Sequence, residues 1–243
     1  MDLQNKTVLI TGAAKRIGKE IARHFAKKGA HVLIHYRNSR KEAEELAQEL
    51  KLLKIKTHLY QADLTRQNDI QKMVTQILKE NEGVDILVNN ASIFYPTPFG
   101  KITEKDWDQF FAANLKAPFF LSQALAPSMK KKGRGHIINI ADWSGLRPYT
   151  GYLPYCTSKG ALITLTQGLA KTLAPEIRVN AVCPGPILPP PDFTEDEKEK
   201  VAQNTLLGRW GNPEDIAKMV VFLAEQEFIT GSYHLVDGGE SLK

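Results

Sequence analysis

No apolar run in the 243-residue chain approaches the roughly 18 residues that a membrane-spanning helix needs. The N-terminal stretch MDLQNKTVLITG enters a strand pattern without a basic region followed by a long apolar one, so a secretory leader is not expected and a cytoplasmic location is. Cysteine is scarce. Cys156 and Cys183 have neither metal-ligand nor redox spacing, which points away from a metal site and toward two thiols in a reducing compartment. Single-sign charge blocks are missing too, although the net charge is +5. The densest basic stretch, Lys130 to Lys132 followed by Arg134, has no aromatic platforms beside it and reads as a solvated helix end rather than a nucleic-acid surface. Repeats, low-complexity linkers and composition shifts are absent, so residues 1–243 are expected to form a single domain.

What is present is alternation. Short apolar or β-branched runs are separated by amphipathic helical stretches, the pattern of a parallel sheet covered by helices on both faces. The runs place strands at Thr7–Ile10, His31–His35, Thr57–Gln61, Asp85–Val88, His136–Ile140, Arg178–Val182 and Tyr233–Val236. Helices are expected at Ile17–Lys28, Ser39–Lys51, Asp69–Glu80, Thr103–Lys132, Tyr155–Ala174 and Pro213–Glu225. Gly29 suits a left-handed C-terminal cap, Ser39 an N-cap, and Pro118 should kink or interrupt the long fourth helix. The fold class is therefore α/β, a doubly wound, parallel, seven-stranded Rossmann-type sheet. Its rhythm breaks only at about 184–204, where Pro189, Pro190 and Pro191 precede an acidic, Lys-rich piece. Such an interruption after a strand reads as a substrate flap.

The first strand runs into Thr11-Gly12-Ala13-Ala14-Lys15-Arg16-Ile17-Gly18 and then a helix. Small residues there let backbone N–H groups and a helix N-terminus face a diphosphate. After the second strand comes His35-Tyr36-Arg37-Asn38-Ser39, with no carboxylate to receive ribose hydroxyls. Arg16, Arg37 and Ser39 instead supply charge and donors for a 2′-phosphate, which favours NADPH over NADH. Further on, Tyr155 and Lys159 stand at i and i+4 of a helical stretch and so share a face. An ammonium beside a phenol should lower the phenol's pKa, readying it to exchange a proton with a C=O or C=N group.

Taken in order, these motifs resemble the short-chain dehydrogenase/reductase family over essentially the whole chain, through Asp237-Gly238-Gly239. The TGxxxxxG spacing is similar to the family's TGxxxGxG loop, with Arg16 where a middle glycine usually stands. Asp63-Leu64 resembles its adenine-contacting pair, and Asn89-Asn90-Ala91-Ser92 its NNAG motif with Ser92 in place of glycine. The resemblance implies a cofactor site of Gly12, Arg16, Ile17, Gly18, Tyr36, Arg37, Asn38, Ser39, Asp63, Leu64, Asn90, Ala91, Ser92, Tyr155, Lys159, Pro184, Gly185 and Ile187. It implies catalytic roles for Tyr155, Lys159 and Asn114, the last holding a water that helps position the lysine. It also implies a homotetramer.

A narrower resemblance, to pteridine and dihydromonapterin reductases, rests on three departures. TGAAKR carries Arg16, Asp142 stands 13 positions before Tyr155 where the family usually has serine, and NNASIFYPTP places Phe94 where an aromatic sandwiches a pterin against nicotinamide. It implies a catalytic role for Asp142 beside Tyr155 and a pterin substrate bound by Arg16, Ser92, Phe94, Asp142 and Tyr155. A 3-oxoacyl-thioester or other carbonyl reductase shares the fold, cofactor and Tyr/Lys pair and is the alternative. A non-catalytic NADPH-binding or sensing module is the alternative of another class, against which the intact Tyr155, Lys159 and Asn114 set argues.

Overall fold

The structure, a computed structural model, describes residues 1–190 and 193–243; Pro191, with its neighbour Asp192, lies outside them. The described elements run β1 (Thr7–Ile10), α1 (Arg16–Lys27), β2 (His31–Tyr36), α2 (Arg40–Lys51), β3 (Thr57–Gln61), α3 (Gln67–Glu80) and β4 (Ile86–Asn89). They continue with α4 (Glu104–Phe111), a π-turn (Ala112–Lys116), α5 (Ala117–Lys131), β5 (Gly135–Ile140) and α6 (Leu153–Leu173). Last come β6 (Ile177–Pro184), α7 (Glu195–Gln203), α8 (Pro213–Glu225) and β7 (Tyr233–Val236).

The strands form one seven-stranded sheet of order β3-β2-β1-β4-β5-β6-β7, parallel at every pairing. This is a Rossmann-type α/β fold. Alternate strand residues serve opposite faces. Val8, Ile10, Val32, Ile34, Ile86 and Val88 pack under α1, α2 and α8, with Phe25 and Leu46 fully covered. Leu9, Leu33, Leu87 and Ile137 pack under α3, α5 and α6. A buried side chain of this size contributes about 1.5–3 kcal/mol, so the two faces together hold the sheet between three helices on each side. The order reverses between β1 and β4, and the crevice at the carboxyl ends of these strands is where such sheets bind ligands.

One local feature refines the sequence reading and two depart from it. The long helix expected over 103–132 is broken at the π-turn. Pro118 has no N–H to give the Asn114 carbonyl and its ring clashes there, so the backbone widens by one residue just before it. The flap is not structureless. Its acidic piece is α7, opened by a capping box in which Thr194 Oγ1 and the Glu197 carboxylate exchange bonds with each other's backbone N–H. None of its residues is buried, so apolar periodicity carried no trace of it. Lys132 leaves the basic face at the end of α5 and pairs with the buried Asp85 at 3.2 Å.

Candidate active site

The turn after β1 closes tightly. Gly12 has φ +62°, and a Cβ on Gly18 would lie 2.3 Å from the Gly12 carbonyl oxygen, so helix α1 can approach only because Gly18 has no side chain. Arg16, standing where the family has glycine, keeps a glycine-like backbone at φ +53°. That costs a non-glycine residue about 1 kcal/mol. Its guanidinium donates to the Leu188 carbonyl at 3.3 Å, tying the turn to the segment after β6. Helix α1 has no side-chain cap at Lys15, leaving its first-turn N–H groups without a capping side chain and suited to an anion. By contrast, the N–H groups of Gly12 and Ala13 are already committed, to His35 Nδ1 and the His35 carbonyl. A diphosphate is therefore left to the turn beyond them.

The other expected cofactor residues border the same crevice in different ways. Asn90 Nδ2 donates to the Thr11 and Gly12 carbonyls, closing the turn against β4. A Cβ on Gly12 would lie 3.1 Å from Ala91 Cα. Arg37 and Asn38 are exposed and Tyr36 is buried. Ser39 sits at the N-cap of α2, yet its hydroxyl makes no cap bond. Asp63 Oδ1 accepts from Thr65 N–H and Oγ1, so this oxygen serves the local turn, while Leu64 is buried in the core under α3. Pro184 ends β6, and Gly185 passes so close to Asp237 that a Cβ would lie 2.6 Å from its Cα. Ile187 directs its side chain into the core beside Gly211. Helix α1's open first turn, the Gly18 approach and the basic residues fit a phosphorylated dinucleotide.

Tyr155 and Lys159 lie on the buried face of α6. Their relation differs from the expected one. Lys159 Nζ donates to the Ile140 carbonyl at 2.8 Å and stands 5.7 Å from the centre of the Tyr155 ring. The hydroxyl of Tyr155 donates to Asp142 Oδ2 at 2.7 Å, and Ser144 N–H donates to Oδ1 at 2.8 Å. Burial first, and the Asp142 charge second, hold the phenol well above its ordinary pKa. The lysine does not lower it, because desolvation and the nearer carboxylate outweigh an ammonium turned toward a carbonyl. Burial also raises the Asp142 carboxyl, so the pair keeps a proton between them. Lys159 is lowered to about 8 by burial, partly offset by Asp142.

Asn114, in the π-turn, is 1 % exposed, and among the described residues the lysine's ammonium gives its hydrogen bond to the Ile140 carbonyl rather than to this amide. Its Oδ1 accepts from Ser92 Oγ and Ile93 N–H, and its Nδ2 donates to Ser158 Oγ and the Ile93 carbonyl. It therefore ties the Ser92 loop to α6. Phe94 is 48 % exposed, but one face is covered by Tyr152 at 4.7 Å and 5° while its edge meets Tyr155. The bridge between Thr97 and Tyr152 holds these two segments side by side. Sequence reasoning missed Tyr152, His35 and Glu240. The last is raised to about 7 by burial and by the nearby Asp142 and Asp237. None carries a local motif, so no sequence signal marked them. Both cysteines are free, no group of metal-ligating side chains occurs among the described residues, and among them no helix is long and apolar enough to cross a membrane.

With this geometry in view, a family model described as enoyl-(acyl carrier protein) reductase matches residues 12–241. A 3-oxoacyl-(acyl-carrier-protein) reductase of Thermotoga maritima is 37 % identical over 98 % of this chain and 99 % of its own. An alternative dihydrofolate reductase, FolM, of Brucella canis, solved with NADP, superimposes with a TM-score of 0.93 at 33 % identity, covering 100 % of this chain and 96 % of that one. A blue fluorescent protein from a metagenomic library, solved with NADPH, gives 0.90 at 33 % identity over 99 % of both chains. The chain belongs to the short-chain dehydrogenase/reductase family and is an oxidoreductase of that family.

Proposed function

We propose that the chain uses NADPH to reduce a C=N bond of a pterin, taking a dihydropterin to a tetrahydropterin. The observation that carries this reading is the 2.7 Å bond from the buried Tyr155 to the partly buried Asp142. A ketone reductase stabilises negative charge growing on the substrate oxygen, and a carboxylate at that place opposes it. A ring nitrogen gains a proton instead, and the pair of Tyr155 and Asp142 is a proton-holding acid. Phe94, 48 % exposed beside Tyr155, offers aromatic surface that suits a planar heteroaromatic ring.

When bound, the nicotinamide supplies hydride to carbon. Arg16, the first turn of α1 and Arg37 would hold the phosphates, and Lys159 holds its positive charge 5.7 Å from the centre of the Tyr155 ring. Tyr155 gives its proton to the substrate nitrogen, and Asp142, protonated or relaying from solvent, restores it. Asn114 fixes the Ser92 loop that walls the site. The reading brings with it the cytoplasmic location and the homotetramer, the latter open to light scattering.

Reduction of a 3-oxoacyl thioester is the second reading, favoured by the names of the curated relatives. NADPH oxidation by the parent and by Phe94→Ala, with dihydropterins, dihydrofolate and an acetoacetyl thioester, separates the two. The pterin reading expects the parent to prefer a pterin and Phe94→Ala to weaken pterins selectively. A parent that prefers the thioester, with Phe94→Ala affecting both substrates alike, hands the function to the second reading.

A further inference from the structure

The end of β2 carries a buried histidine between two loops of the cofactor crevice. His35 is 2 % exposed. Its Nδ1 accepts from Gly12 N–H at 3.0 Å, and its Nε2 lies 3.1 Å from the Ala62 carbonyl. A backbone N–H can only donate and a carbonyl can only accept, so both contacts are satisfied by one form of the ring alone: neutral, with its proton on Nε2. Burial favours that form, holding the imidazole at about 4. The backbone repeats the connection, since Ala13 N–H donates to the His35 carbonyl and Ala62 N–H to the Tyr36 carbonyl.

Neither bonded group is incidental. Gly12 opens the left-handed turn that presents the first turn of α1, and Ala62 immediately precedes Asp63 and Leu64 at the end of β3. The ring thus spans from the diphosphate turn to the adenosine side of the crevice, across the end of β2.

We infer that His35 is a positioning residue for the dinucleotide, its ring setting the Gly12 turn and the Ala62–Leu64 segment in register so that one cofactor meets both. This rests on the dinucleotide reading of the crevice. It acts through backbone groups and needs no contact with the cofactor. Removing the acceptor leaves the partly buried Gly12 N–H unpaired, free to tilt the turn.

Three variants divide the ring's two bonds. His35→Asn places an oxygen near Nδ1 and keeps the Gly12 bond, His35→Gln reaches the Ala62 carbonyl but abandons Gly12, and His35→Leu makes neither. NADPH affinity is read by fluorescence titration, alongside KM for NADPH, kcat at saturating NADPH and the melting temperature. His35→Asn should bind NADPH nearly as the parent does, whereas His35→Gln and His35→Leu should bind it about tenfold more weakly, the scale of one lost, partly buried hydrogen bond. KM for NADPH should rise in step while kcat holds. If all three variants bind NADPH as the parent does and differ only in melting temperature, or if Asn and Gln are equally impaired, His35 does not position the cofactor. If His35→Leu does not fold, the Asn and Gln pair still decides. A parent that does not bind NADPH overturns the dinucleotide reading itself, and this inference with it.

Discussion

Replacing Asp142 by Asn exchanges one carboxylate oxygen for an NH2 group with almost no change in volume. In the parent, Oδ2 accepts the Tyr155 hydroxyl and Oδ1 accepts Ser144 N–H. An amide has a single oxygen. If it stays with Ser144, the NH2 group points at the phenol oxygen and turns Tyr155 from donor to acceptor; if it turns to Tyr155, two N–H donors confront each other. One charge-assisted bond is lost in either case, worth about 1.5–3 kcal/mol. Expressed in proton transfer, that is about 10–150-fold in rate. A second signature follows from charge. Asp142 raises Lys159, which stands at about 8 in the parent. An ammonium needed for catalysis is lost as pH climbs through that value, so the parent's kcat/KM should fall on the alkaline side near 8. Without the carboxylate, Lys159 drops further and the fall should begin at lower pH. Steady-state NADPH oxidation across the pH range measures both effects, and NADPH affinity at neutral pH confirms that the cofactor site survives. A variant that keeps the parent's rate and its alkaline limb refutes the role given to Asp142.

Tyr155→Phe keeps the ring against Phe94 and Phe110 but removes the transferable proton; turnover should drop by about 10²–10⁴-fold with NADPH binding intact, and near-normal turnover would take this residue out of the mechanism. Arg37→Asp replaces an exposed cation at the end of β2 with an anion, so NADPH affinity should fall by about 2 kcal/mol or more while NADH is less affected; equal loss for both cofactors in a binding titration argues against a 2′-phosphate contact. His35 also predicts an acid limb in stability. Its pKa lies at about 4 in the folded chain against an ordinary 6.5, so the unfolded chain binds a proton that the folded chain refuses. The stabilisation is whole above 6.5 and is lost as pH falls toward 4, by about 3 kcal/mol. His136, also buried and lowered, adds a limb of the same sign, so the test is the difference in urea midpoints between parent and His35→Asn; a difference that does not shrink or reverse on acidification contradicts it.

The sheet was legible because a strand covered on both faces must be apolar along its whole length, and that requirement is local. Thr7–Ile10, inside the sheet and buried at Val8, Leu9 and Ile10, falls where its apolar run placed it, and the less covered edge strands Thr57–Gln61 and Tyr233–Val236 also fall within their expected bounds. The spacing of Tyr155 and Lys159 put them on one face of α6 for an equally local reason, the helical period. Helix α7 escaped because it buries nothing; its capping box, Thr194 and Glu197, was the one available signal. The π-turn had a hint in Pro118, though whether the helix would bend, break or widen was beyond the reach of a single residue.

By itself, then, the sequence determined the fold class and the family, since each is written in short-range pattern. Only the tertiary structure decided how the site's residues meet. Asp142, after β5, reaches Tyr155 because α6 packs over that strand's end, and the same packing hands the Lys159 ammonium to the Ile140 carbonyl rather than to the phenol. Tyr152 covers Phe94 because Thr97 and Tyr152, 55 positions apart in the chain, form a bridge. His35 meets Gly12 and Ala62 because β2 lies between β1 and β3. Hydrogen bonds and desolvation depend on distance in space, and a chain's order sets that distance only after the sheet has brought its strand ends together.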